Sequence, residues 1–157
     1  MSIQGTASIR PPRIVALLVV AIVAWTFLPG LFRPPPHPLR GRAAPALDGT
    51  SRGRPMVVTF FATWTDLGEK ELHVLDALAA RHPDVGFLAI DAVDAADAAV
   101  PAHPFPTIHD ADDRLARAYQ VNNVPMTFVI AANGTIVDVA MGMTEASDLE
   151  SMIRRAR

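Results

Sequence analysis

Residues 105–142 read FPTIHDADDRLARAYQVNNVPMTFVIAANGTIVDVAMG, and this stretch decides the fold. Its second half holds two apolar runs, Met126–Ala131 and Thr135–Gly142, separated by a turn containing Asn133-Gly134. That dipeptide takes the left-handed conformations a tight β-hairpin needs, so the spacing predicts two antiparallel strands. Asn133-Gly134-Thr135 is formally a glycosylation sequon as well, but the turn is a sufficient explanation of it. Phe105–His109 predicts a short strand. Asp112–Tyr119 predicts a helix with acids at its positive end.

The same pattern extends outward in both directions. Val85–Asp91 (VGFLAID) and Met56–Phe61 (MVVTFF) are short runs rich in β-branched and aromatic residues, the signature of buried strands. Between them, Leu67, Leu72, Leu75, Leu78 and Ala79 form a helical stripe over Asp66–Arg81, stopped by Pro83. Val93–Val100 predicts a short helix ended by Pro101, with Asp91, Asp94 and Asp97 as its wet face. Downstream, Thr144 is placed to cap a last helix, Glu145–Arg155, with Arg154 and Arg155 at its negative end. The order βαβαβαββα over residues 55–157 predicts an α/β unit with a mixed central sheet and helices on both faces.

The first 54 residues have another character. Ile14–Phe32 is nineteen residues without a charge. As a helix it covers about 28 Å, close to the roughly 30 Å hydrocarbon core, with Trp25 and Phe27 toward one interface. It reads as a transmembrane anchor behind a short tail, residues 1–13. A cleaved signal is the competing reading, since Arg10 and Arg13 form a basic n-region, but no small-x-small site follows Leu28. Arg33, Arg40 and Arg42 flank the far side, so the arginine count does not orient the span. Residues 33–54, with Pro34, Pro35, Pro36 and Pro38, read as an extended stalk.

Composition excludes several functions. Half the residues are apolar and 19% are charged, so the chain is not a disordered one. Residues 1–54 carry seven arginines against one acid, Asp48, whereas residues 55–157 carry fifteen acids against six arginines and Lys70. The second part has no electrostatic reason to bind nucleic acid. There is no cysteine. That removes disulfides, thiol nucleophiles, iron–sulfur clusters and cysteine-based zinc sites together.

Two segments carry a family resemblance. Val57–Leu72, VVTFFATWTDLGEKEL, resembles the strand-to-helix turn of the TlpA/ResA-type thioredoxin-like proteins, which are membrane-anchored extracytoplasmic thiol–disulfide oxidoreductases. Phe60, Ala62, Thr63, Trp64, Lys70 and Glu71 match that pattern. The opening stretch resembles the family's second signature at Phe105, Pro106, Asp110, Leu115, Ala116, Tyr119, Val121, Pro125, Thr127, Gly134, Ile136 and Gly142. The resemblance covers roughly residues 43–157 and implies a thioredoxin-like fold, an extracytoplasmic domain and a cis-proline at Pro125.

The departure lies in the chemistry. Aligned on Trp64, Thr65 stands in place of the family's attacking cysteine and Gly68 in place of the resolving one. Disulfide exchange needs a thiolate and a second thiol, and neither position supplies one. The related peroxiredoxins keep a threonine at the first position, but their peroxidatic cysteine falls on Gly68, so peroxide reduction is excluded as well. His73 replaces a helix-kinking proline and Glu69 a basic residue. Asp66, Glu69 and Glu71 do not form a site built to lower a thiol pKa.

Three functions remain open to the sequence. The first is a tethered, redox-inactive module that binds a protein partner, and the second an accessory member of a thiol–disulfide or cytochrome c maturation pathway. The third is a non-thiol enzyme or metal carrier using Thr65, Asp66, Glu69 and His73. In the resembled family the substrate lies across the turn after Trp64 and pairs beside the cis-proline. The resemblance therefore implies a docking face of Trp64, Thr65, Asp66, Val124, Pro125 and Met126. It also implies that the double substitution Thr65→Cys, Gly68→Cys restores a working dithiol. No periodicity aims His73 at Thr65. His103 and His109 flank PFPTI and share a metal only if that loop folds back, so no cofactor or metal is expected.

Overall fold

The computed structural model describes residues 35–47, 53–92 and 102–157. The predicted tail 1–13, the predicted anchor 14–32 and the predicted helix over 93–100 lie outside these residues. Among the described residues no helix is long and apolar enough to cross a membrane.

Among the described residues, five strands and three helices follow one another from residue 56 onward. They are β1 (Met56–Phe61), α1 (Asp66–Arg81), β2 (Gly86–Asp91), β3 (Thr107–His109), α2 (Arg114–Ala118), β4 (Met126–Ile130), β5 (Ile136–Met141) and α3 (Ala146–Ala156). The strands form one sheet in the order β3-β2-β1-β4-β5. β1 is parallel to β2, β2 is parallel to β3, and β4 runs antiparallel to both β1 and β5. β1, β2 and β4 are buried along their whole length, which explains why they read as unbroken apolar runs rather than alternating ones.

Alternate residues of each strand build two cores. Val57, Phe61 and Val129 face Leu72, Leu75 and Leu78 of α1 and Leu149 and Ile153 of α3. Val58, Phe60, Met126 and Phe128 face the other way, toward Leu115 and Tyr119 at α2. Phe60, Tyr119 and Phe128 pack there as a ring cluster with centroids 4.9–5.8 Å apart.

This second face corrects the predicted stalk. Residues 36–47 are part of the domain, not a solvated spacer. Leu39 is buried in the second core, and the His37 ring meets Phe128 edge-on. Gly41 and Ala44 donate to the carbonyls of Ile136 and Gly134, and Ile136 donates to Arg42. Arg40 and Arg155 both pair with the buried Asp138 carboxylate of β5. A five-residue helix cannot cover a five-stranded sheet, and this strap completes the cover. Proline-rich composition suits an extended strap as well as a free linker, so composition alone points the wrong way.

Several boundaries and roles also move, and β3 begins at Thr107 rather than Phe105. α2 begins at Arg114 rather than Asp112, because Asp113 is left-handed (φ 53°) and the buried Asp110 carboxylate takes the Leu115 and Ala116 amides at 3.0 and 2.7 Å. Thr144 does not cap α3: its hydroxyl donates to the Gly142 carbonyl and its amide to Glu71, and the capping position is Glu145. Asp91 is a buried residue at the end of β2, not the wet face of a helix. The hairpin forms about Gly134 (φ 86°), where Asn133 Oδ1 accepts the Thr135 amide at 2.9 Å.

Candidate functional site

β1 ends at Phe61 and the chain turns through Ala62–Thr65 into α1. Thr65 is extended, and its Oγ1 accepts the Gly68 amide at 3.0 Å, an N-cap by a hydroxyl. The same hydroxyl donates to the Ala62 carbonyl at 3.1 Å. Its proton and a lone pair are thus both used in closing the turn. His73 is two-thirds exposed and sits 3.8 Å from Glu69 and 3.7 Å from Asp76. Activation of Thr65 as a nucleophile needs an adjacent base, and His73 is engaged elsewhere.

Gly68 is buried, and the reason it is glycine is steric. A Cβ built on it would lie 2.4 Å from the Ala62 carbonyl oxygen and 3.1 Å from Thr65 Oγ1. The first contact is with backbone, so the turn itself would have to move. This overturns the expectation that Thr65→Cys, Gly68→Cys restores a dithiol on an intact turn. The carbonyl of Ala62 occupies the space into which a side chain at 68 would project.

Beneath the turn lies an acid. Glu71 has no exposed surface; its Oε1 accepts from Thr127 Oγ1 at 3.0 Å and its Oε2 from the Thr144 amide at 2.9 Å. Thr59 Oγ1 lies 2.9 Å from Thr127 Oγ1 and completes a buried polar chain from β1 to β4 to α1. Burial pushes the Glu71 carboxyl above its ordinary value of 4.5, and the bonds from Thr144 and Thr127 partly oppose that rise. The sequence groups Glu71 with Asp66 and Glu69 as acids near the start of α1. Its position four residues before Leu75 and seven before Leu78, on the apolar stripe of α1, is the available signal of burial.

The face expected for docking is only partly a surface. Trp64 is 69% exposed and Asp66 is exposed, while Thr65 and Val124 are half-buried. Pro125 is buried, as is Met126, whose side chain belongs to the second core. Met126 is therefore not a contact residue. The exposed methionines are Met141, its partner across the β4–β5 ladder, and Met143. Leu67, predicted to join the core stripe, is 47% exposed beside Trp64. The register Phe60↔Met126 brings the start of β4, and with it the cis Val124–Pro125 bond, to the end of β1 that leads into the turn.

His73 and His103 share the Asp76 carboxylate. His103 Nδ1 bonds Asp76 at 2.9 Å and its ring stacks on Phe105, whereas His109 Nδ1 bonds Asp91 at 3.0 Å. Among the described residues no group of three or more His, Cys, Asp or Glu side chains is arranged to hold a metal ion.

The sequence that builds this sheet and turn matches the AhpC/TSA family model over residues 45–139. The chain belongs to the AhpC/TSA family. Solved structures share the fold. A Chlorobium tepidum protein assigned as the thiol:disulfide interchange protein DsbE superposes with a TM-score of 0.63 at 25% identity, covering 74% of this chain and 96% of its own. DsbF of Mycobacterium tuberculosis gives 0.62 at 24%, covering 68% and 83%. A secreted disulfide oxidoreductase of the same organism, homologous to E. coli DsbE, gives 0.53 at 23%, covering 66% and 83%. No curated protein sequence matches significantly. The chain is thus a thioredoxin-like AhpC/TSA member with no cysteine anywhere in its sequence.

Proposed function

We propose that this protein is a non-catalytic AhpC/TSA member of TlpA/ResA type, tethered to the membrane by residues 14–32, whose extracytoplasmic domain binds a protein partner. One observation supports this above the others. The turn that in thiol-active relatives carries the redox pair is here well ordered by hydrogen bonds, closed against a side chain at position 68, and still presents a largely exposed tryptophan. A turn retained without its reactive groups is explained by binding, since strand-like pairing and an apolar anchor need no sulfur. The DsbE-like neighbours are named for disulfide chemistry, and a chain without thiols can join such chemistry only by holding a partner.

The experiment is recovery of the full chain from membranes with its bound neighbours. Trp64→Ala is expected to lose the partner about thirtyfold, the cost of a tryptophan anchor, while Arg114→Ala on α2 retains it. Equal retention by both variants would place the binding surface elsewhere. A phosphatase fused after Arg157 is expected to be active outside the cytoplasm, and a cytoplasmic signal would overturn the topology.

A further inference from the structure

Large apolar side chains on the surface are few and gathered near one end of the fold. Among the described residues the exposed large hydrophobics are Trp64, Leu67, Ile108, Met141 and Met143. Trp64 and Leu67 open α1. Leu67 and Glu71 lie four residues apart and so share a face of that helix. Glu71 in turn holds the Thr144 amide at 2.9 Å, which seats Met143 and Glu145 beside the same face. Trp64 and Leu67 at the start of α1 and Met143 next to Thr144 thus lie on segments that Glu71 holds together, and Met141 ends β5 two residues before Met143.

The charge around these side chains has one sign. Asp66, Glu69, Glu145 and Asp148 are exposed on the first turns of α1 and α3 and the loop between β5 and α3, against a single ammonium, Lys70. Among the described residues no arginine or lysine neutralises these four carboxylates: Glu69 meets His73, at 3.8 Å, whereas Asp138 and Glu150, farther along, are both paired with arginine. Asp66 and Glu69 in the first turn of α1, Asp148 in that of α3 and Glu145 at the N-cap of α3 also stabilise the helix starts. An apolar surface inside an unneutralised acidic rim is complementary to an apolar segment flanked by cations and repels an acidic one.

We propose that the occupant of this face is a basic polypeptide segment, an extended stretch that sets large apolar side chains on Trp64, Leu67 and Met143 and lysine or arginine against the rim. The proposal rests on the docking reading above and specifies its partner. Met143 adapts its shape to the incoming side chain and Trp64 provides the rigid anchor.

The test uses the full chain in a nonionic detergent and three short synthetic peptides of one design. In them leucine alternates with lysine, with serine, or with glutamate, and affinities are read by calorimetry. The lysine peptide is expected to bind tightest, weakening about tenfold between about 0.05 and 0.5 M NaCl as the rim is screened. The double substitution Glu69→Gln, Glu145→Gln is expected to weaken the lysine peptide about tenfold, roughly threefold for each charge, and to leave the serine peptide unchanged. Trp64→Ala is expected to weaken both about thirtyfold. If the serine or glutamate peptide binds as tightly as the lysine one while remaining dependent on Trp64, the basic partner is wrong and the docking face stands. If no peptide binds, or if binding ignores Trp64, the docking face falls with it.

Discussion

A hydroxyl and a missing Cβ account for what this turn does. Thr65 caps α1 through Oγ1, and Gly68 admits the Ala62 carbonyl to within 2.4 Å of where its Cβ would be. Thr65→Ala is expected to cost about 1 kcal/mol of folding stability, with Thr65→Ser close to wild type, both read from urea unfolding. Gly68→Ala is expected to cost about 1–3 kcal/mol through overpacking against backbone; an unchanged midpoint would show that the turn moves freely and reopen the position to a side chain. Tyr119 gives a second check at this scale. It is the chain's single tyrosine, fully buried, with its hydroxyl on the Pro45 carbonyl at 3.0 Å. Burial pushes its phenol well above the ordinary value. Alkaline titration is expected to show no phenolate absorbance at about pH 10, where a free tyrosine is half-ionised, until the fold itself is lost.

At the scale of elements, Glu71 joins α1 to β4 and to the loop that precedes α3. Its carboxyl is raised in the folded state, chiefly by burial. The folded protein therefore holds that proton more tightly than the unfolded chain does. The stability this contributes is complete below the ordinary value of 4.5 and declines as pH rises through the higher folded value. The difference in unfolding free energy between wild type and Glu71→Gln is expected to change with pH in that window, wild type losing ground as pH rises. A pH-independent difference would mean that Glu71 is equally comfortable in both states. Most elements were legible: β1 and α1 lie where their apolar runs and stripe put them, with Pro83 beyond the last turn. α2 was legible only in outline, because its start is decided by the Asp110 carboxylate reaching the amides of Leu115 and Ala116, a capping arrangement set from outside the helix.

For the whole molecule, the strap is the decisive piece. Leu39 enters the second core and Arg40 joins Arg155 on the buried Asp138. A chain beginning at Pro36 retains the strap and serves as the reference in urea unfolding. One beginning at Gly53 is expected to lose about 2 kcal/mol from Leu39 alone, and more from the ladder partners left open on β5. Equal stability of the two would return residues 36–47 to the role of a spacer. The sequence by itself determined the class of the fold and its lack of thiol chemistry. Strand runs, a helical stripe and an Asn-Gly turn are local patterns, and the absence of cysteine is a matter of composition. Only the tertiary structure decided which side chains face water. It buried Met126 and exposed Met141 and Met143, buried Glu71 among threonines, and folded a proline-rich segment back onto the sheet. Burial depends on what lies opposite a residue across the fold, and that neighbour is distant in the chain: Thr144 is 73 residues from Glu71, and Val137 is 97 from Arg40. No local pattern in a single sequence contains those pairings.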